Sequence, residues 1–197
     1  METPTKDSQG TRERILEASL SIFSRKGYHD TRLDEIVEAS HTSKGAIYFH
    51  FPNKERLFLA LVDQSADLLE RRVVEAIQEE DKGINRVRIA MVTILDTFGR
   101  YRRPAKILLV QASGLGSTFE DKRNEINDRF AFLIQTYLDE SVEVGDIEAV
   151  DTEVVSIAWM GAIYNVVIRW VNTGEPEPER ILNSLLPILL KSVGYEH

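Results

Sequence analysis

The residues whose types and spacing best suit chemistry lie in one short run, Ser43-Lys44-Gly45-Ala46-Ile47-Tyr48-Phe49-His50, with Thr31 and Thr42 before it and Lys54 after it. The chemistry on offer is non-covalent. Lys44 and Lys54 supply cationic donors, Thr31, Thr42, Ser43 and Tyr48 supply hydroxyls, and His50 supplies an imidazole. Lys44-Gly45-Ala46 leaves one turn of backbone almost bare of side chain. A glycine inside a helix costs stability, so its presence there points to close approach by something outside. The set fits a short helix laid in the major groove of duplex DNA. Small residues at its start admit the backbone, and flanking helix starts and lysines hold phosphates. The expected DNA contacts are Thr31, Thr42, Ser43, Lys44, Gly45, Ala46, Tyr48, His50 and Lys54. Ile47, Phe49 and Phe51 are expected to face the core of the same unit.

A net charge of -8 over 197 residues argues against DNA binding, which needs Lys and Arg against phosphate. Its distribution removes much of the conflict. Residues 1–54 carry 8 basic and 8 acidic side chains, whereas residues 55–197 carry 16 and 24. Ala39 to Lys54 contains two lysines, two histidines and no acid. The excess acid therefore lies outside the segment that would meet DNA.

Other chemistries find no support. There is no Gly-x-Ser-x-Gly, no phosphate loop and no His-Glu-x-x-His. Gly114-Leu115-Gly116 lacks a preceding strand and a third glycine. The four histidines are scattered, and the absence of cysteine excludes disulfides and thiolate metal sites. No catalytic residue, metal or cofactor is expected, and an all-α enzyme is the disfavoured alternative. The N-terminus lacks the apolar core of a signal peptide. The longest apolar runs, Ile107–Val110 and Leu185–Leu190, are too short to cross a bilayer. A cytoplasmic protein with no membrane partner is expected.

Elements must hold the candidate run in place, and the helical period dominates the whole chain. A first helix over residues 12–27 turns Ile15, Leu16, Ala18, Ile22 and Phe23 to one face and stops at Gly27. Thr31 and Asp34 form a capping-box-like pair for a short second helix. Ser40-His41-Thr42 breaks the pattern, and Ser43 caps a third helix from Lys44 to about Phe49. Asn53 caps a long fourth helix, Lys54 to about Glu80, with a stop at Asp81-Lys82-Gly83. Five more follow: about Asn85–Arg100, one from Pro104 to Gly114-Leu115-Gly116, Thr118–Ser141 capped by Ser117 and Glu120, Thr152–Asn172 capped by Asp151, and Glu179–Val193 bent at Pro187. The expected fold is all-α with about nine helices: a three-helix helix-turn-helix head, residues 1–54, and a six-helix bundle, residues 55–197.

Ser43-Lys44-Gly45-Ala46-Ile47-Tyr48-Phe49-His50-Phe51-Pro52-Asn53-Lys54-Glu55-Arg56-Leu57 resembles the recognition-helix signature of the tetracycline-repressor (TetR/AcrR) family. Arg14-Ile15-Leu16-Glu17-Ala18, Phe23, Gly27-Tyr28, Thr31 and Ile36 are similar to its first two helices. The specific likeness covers residues 11–60. The turn departs from it, with Ser40-His41-Thr42 where the family usually has Ala-Gly-Val. His41 then has to supply the left-handed residue, a region in which histidine is enriched though glycine fits better.

The resemblance implies a homodimeric, ligand-responsive repressor of operator DNA, with a ligand cavity among helices four to eight. Candidate lining residues are Phe98, Gln111, Phe119, Asn127, Phe130, Trp159, Met160, Tyr164 and Asn165, since pockets are mainly apolar with a few placed polar groups. Arg100, Arg102, Arg103 and Lys106 form a basic cluster, and Arg102 and Arg103 are candidates for an anionic ligand group. The cluster, the apolar bundle and a likeness of Ala105–Phe132 to fatty-acid-degradation regulators favour an acyl-CoA or similar lipid-like acid. The acidic bundle leaves open a multidrug-type cation sensor of an efflux gene, and a DNA-binding factor without ligand is a further alternative. Helices eight and nine are apolar on more than one face, which a dimer interface of four helices would cover.

Overall fold

The computed structural model describes residues 6–78, 85–111 and 116–195, with the side chains of 6–8, 108, 110 and 111 left out. Among these residues there are nine α-helices and no strand. They are α1 (Lys6–Lys26), α2 (Leu33–Ser40), α3 (Lys44–His50), α4 (Lys54–Gln78), α5 (Asn85–Arg100), α6 (Arg102–Ala105), α7 (Ser117–Glu143), α8 (Thr152–Thr173) and α9 (Pro178–Lys191). A π-helical segment, Lys106–Gln111, continues α6.

Local signals explain most boundaries. Gly27 (φ 86°) and Gly174 (φ 82°) close α1 and α8 in left-handed geometry. Ser43 Oγ accepts from Ala46 N–H at 3.1 Å, Asn53 Oδ1 from Arg56 N–H at 2.8 Å, and Asp151 Oδ1 from Val154 N–H at 3.1 Å. Each satisfies a donor that its helix leaves open. Two caps differ from expectation. Thr31 does not start α2: Arg32 is the N-cap, and the box is closed by Glu35, whose carboxylate accepts from Arg32 N–H at 3.3 Å. Ser117 is already the first residue of α7, capped by Gly116 without a side-chain bond. The sixth helix starts at Arg102, so Pro104 lies in its first turn, where a missing N–H costs no helical bond. The expected stops at 81–83 and 114–115 lie outside the described residues.

α1, α2 and α3 pack together as the head, and α4 leaves it without a break. Leu57, Phe58, Leu61, Val62, Ser65, Leu69, Val73 and Ile77 form the buried stripe of α4 at three/four spacing. The upper part faces the head and the lower part faces the bundle, so one apolar core runs through both. In the bundle α4 packs on α5, α6 and α7, α7 packs on α8, and α9 lies against α5 and α8. Asp63 pairs with Lys122 and Asp67 with Arg129, so α4 and α7 run parallel. α8 is long and apolar enough to cross a membrane by length and composition. Here Ser156, Trp159, Ile163, Val167 and Trp170 are buried in the bundle, while Val154 and Ile157 stand out from it.

Candidate nucleic-acid interface and ligand cavity

The turn before α3 sets its tilt. His41 is left-handed at φ 52° and ψ 41°. Ser40 Oγ donates to Ile36 O at 2.6 Å and lies 2.7 Å from Thr42 Oγ1, and Thr42 N–H donates to Val37 O at 3.3 Å. Backbone and hydroxyls thus fix the departure from α2, and Ile47 and Phe51 anchor α3 from below. The opposite face is open. Ser43, Lys44, Gly45, Tyr48 and Phe49 are exposed there. Phe49 was expected in the core, yet it is 78% exposed. Ile47 and Phe51 already fill the space beneath α3, which leaves Phe49 outside, edge-on to His50. A large apolar ring held in water is the signal that periodicity over a seven-residue helix could not resolve. Lys44 bonds Asp34 at 3.1 Å, which raises its pKa. Partial burial, and then the nearby Arg12, hold the His50 pKa below its usual value. Its imidazole is therefore neutral at neutral pH and can both donate and accept.

Two expected contacts sit elsewhere. Thr31 is buried, and its hydroxyl donates to Gly27 O at 2.7 Å. Lys54 turns inward: Nζ donates to Tyr28 O at 2.8 Å, His29 O at 3.3 Å and Thr31 O at 3.0 Å, and lies 4.5 Å above the Tyr28 ring. The loop between α1 and α2 has its carbonyls converging on this one ammonium. In this arrangement neither side chain is turned toward a phosphate. Lys54→Met is accordingly expected to lower stability by about 2–3 kcal/mol, because partly buried carbonyls lose a charged donor. Thermal unfolding measures the loss. The salt slope of DNA binding should stay unchanged; a slope lower by about one would mean that Lys54 meets a phosphate after all.

Head and bundle meet at an aromatic joint. Tyr28 and Phe58 lie 5.2 Å apart, Tyr28 and Phe119 5.2 Å, and Phe58 and Phe119 5.7 Å, all edge-on. Phe23 completes the cluster 5.0 Å from Phe58. The three helices α1, α4 and α7 converge here, and burial with edge-to-face geometry holds them together. Phe119 was expected to line a ligand pocket; it is this wedge instead.

Below the joint, α4, α5, α7 and α8 enclose an almost wholly apolar cavity. Phe98, Asn127, Phe130, Trp159, Met160 and Tyr164 line it. Trp159 Nε1 donates to Ser192 Oγ at 3.0 Å, and Tyr164 Oη donates to Leu109 O at 3.4 Å within the π-helical segment. Asn165 is exposed and bonds back to Gly161 O at 2.8 Å. The side chain of Gln111 lies outside the described residues. Arg102 and Arg103 are exposed on α6 and do not reach the cavity. Its cations are Arg86 and Arg123, which no cluster in the sequence marks, since each reaches the wall alone from a different helix. Arg86 is already engaged, 2.5 Å from Glu140 Oε2 and 5.2 Å from the Tyr137 ring.

Comparison with known proteins agrees with this layout. Residues 15–61 match the family described as bacterial regulatory proteins, tetR family. Over nearly its whole length the chain is similar to the fatty acid metabolism regulator protein of Bacillus subtilis, at 21% identity over 182 residues, 91% of this chain and 94% of that one. The crystal structure of FadR from Bacillus subtilis in complex with stearoyl-CoA superposes with a TM-score of 0.79 at 22% identity, covering 94% of this chain and 99% of that one. AibR in complex with isovaleryl coenzyme A and operator DNA superposes with a TM-score of 0.69 at 21% identity, covering 90% and 97%. The helix-turn-helix built around α3 and the match across it agree: residues 15–61 carry the domain of the bacterial regulatory proteins of the tetR family, and the rest of the chain shares its all-helical fold with these regulators.

Proposed function

We propose that this protein is a homodimeric repressor that leaves its operator when an acyl-CoA-like ligand fills the bundle cavity. One observation carries the reading: α4 runs unbroken from the joint beneath the open face of α3 to the wall of an apolar cavity. Residues 1–54 act as the DNA-reading head and residues 55–197 as the sensing and pairing unit, with no loop between them. In a dimer two α3 helices enter successive major grooves, about 34–36 Å apart or a multiple of it. Ser43, Lys44, Gly45, Ala46, Tyr48, Phe49 and His50 meet the groove, and Thr42 steadies the turn. The pairing face is the outer stripe of α8, with Val154, Ile157, Ala158 and Gly161, together with Ile188 of α9. Val154, Ile157 and Ile188 are about 60% exposed in the single chain, and apolar faces of this kind are covered by association. A protein of this kind acts where DNA is, in the cytoplasm.

A ligand shifts only an equilibrium whose states it binds unequally. An acyl chain that parts α4 from α7 therefore favours a head spacing that no longer fits the operator. The lining holds two arginines and no carboxylate, which favours an anionic ligand over a cationic drug; the acid of residues 55–197 lies outside the cavity wall. A gel shift on the promoter upstream of its own gene, with and without palmitoyl-CoA, tests this. Specific binding at moderate salt and release by the thioester are expected. Folded protein that gives no specific shift would sink the DNA reading, and a shift indifferent to acyl-CoAs would sink the effector. Lys44→Ala with Tyr48→Ala should weaken the complex roughly 10- to 100-fold, as losing contacts worth about 1.5–3 kcal/mol does.

A further inference from the structure

The cavity has two unlike ends. Because α4 and α7 run parallel and α5 runs back against α4, Phe98, Leu109, Val62 and Arg123 lie toward the DNA-reading head. Ile77, Arg86 and Tyr137 lie at the far end. At the far end the Arg86 guanidinium is neutralised by Glu140 and covered by Tyr137. Trp159 and Tyr164 already donate to Ser192 and to the Leu109 carbonyl. Arg123 and Asn127 differ from all of these. They stand one turn apart on α7, both half-buried, both on the cavity wall, and neither has an ion pair or hydrogen bond among the described residues. From Arg123 to Tyr137 the α7 wall measures roughly 21 Å at 1.5 Å per residue, a span suited to a long single acyl chain.

We propose that Arg123, helped by Asn127, binds the oxyanion head of a single-chain acyl ligand, whose tail runs away from the DNA-reading head toward the Arg86–Glu140 pair. The inference rests on the effector reading above and makes it directional. A half-buried guanidinium can form paired charge-assisted bonds with a carboxylate or a phosphate. Its partial exposure lets a bulky head remain in water while the tail is buried. The arrangement also places the ligand's charge where it acts on the joint. Phe119 lies one turn before Arg123 and wedges between Tyr28 and Phe58, and the neighbouring Lys122 holds Asp63 of α4 at 3.1 Å. An anion on Arg123 therefore draws on the turn of α7 that ties head to bundle, while the tail supplies most of the affinity.

The test is calorimetric titration of the whole protein with palmitate, palmitoyl-CoA and uncharged hexadecanol. Arg123→Gln should weaken binding of the anions roughly 10- to 100-fold, leave hexadecanol within a factor of three, and leave operator binding without ligand unchanged. The last measurement shows that the variant is folded. Arg123→Lys should keep part of the anion affinity. Loss confined to palmitate identifies the carboxylate as the bound group, and loss confined to palmitoyl-CoA identifies the phosphates. If wild type binds the anions and Arg123→Gln binds them equally well, the head lies elsewhere, although the effector reading stands. If wild type binds neither anion, both fall.

Discussion

Gly45→Leu is expected to abolish specific operator binding while leaving the protein as stable as before or slightly more so. Nothing inside the protein requires this glycine. A methyl placed at Gly45 would meet only Ser43 Oγ, at 3.8 Å, and its backbone is not in the left-handed region. Glycine in a helix is worse than leucine by up to about 1 kcal/mol, so the internal balance favours replacement. The reason for the glycine must then lie outside the molecule. It sits in the first turn of α3, on the exposed face, between Lys44 and Tyr48, where the groove would come closest. A leucine there holds the backbone away from the base edges and leaves only the electrostatic grip. Affinity should fall by at least ~100-fold, toward the non-specific level. Gly45→Ala should fall between the two. Fluorescence anisotropy on the operator, beside thermal melts, reads both quantities. A leucine variant that binds normally would mean that α3 does not enter the groove.

The same contrast explains what the sequence made legible. Residues whose reason is local could be read directly: Ser43, Asn53 and Asp151 as caps, Gly27 and Gly174 as stops, His41 as the left-handed residue, Ile47 and Phe51 as anchors. Gly45 stood out because it breaks a local rule with no internal compensation. Residues whose reason is tertiary could not be read in this way. Lys54 has the type and place of a phosphate contact, but three carbonyls some 25 positions away converge on it. Thr31 looks like a cap until Gly27 O claims its hydroxyl. The basic cluster at 100–106 is conspicuous only because its members are adjacent in sequence. Arg86 and Arg123 are far apart and reach one cavity through the packing of α5 and α7. Charge that is clustered along a chain is easy to see, whereas charge that converges on a cavity appears only when the helices are packed.

In the regulator proposed above, the joint is the path from cavity to head. α4 has no break at the head boundary, and ion pairs to Lys122 and Arg129 of α7 lie along its bundle side. Exposed pairs of this kind contribute little to stability. Their geometry nonetheless ties α4 to α7, so that a ligand parting the two helices is expected to act on the head through a stiff rod.

Phe119→Ala should separate binding from response. Phe119 is buried among Tyr28, Phe58 and the first turn of α7, and it does not line the cavity. Removing a buried phenyl ring costs about 3–5 kcal/mol in lost burial and residual cavity. In a protein of this size the melting temperature should fall by roughly 10 °C. Below that temperature α3 and its anchors Ile47 and Phe51 are untouched, so operator binding without ligand should persist. The cavity wall is also untouched, so palmitoyl-CoA affinity should stay within a factor of three. What should weaken is the effect of one on the other. Coupling is a free energy shared by two sites, and here it passes through the wedge that the mutation removes. Phe119→Leu, which restores most of the volume, should recover most of the stability and part of the coupling. Paired titrations give the coupling directly: ligand affinity with and without operator, and operator affinity with and without ligand. If Phe119→Ala releases DNA as fully as wild type at saturating ligand, the signal takes another route, and the π-helical segment at 106–111, which touches α1, α4 and α8, is the next element to alter.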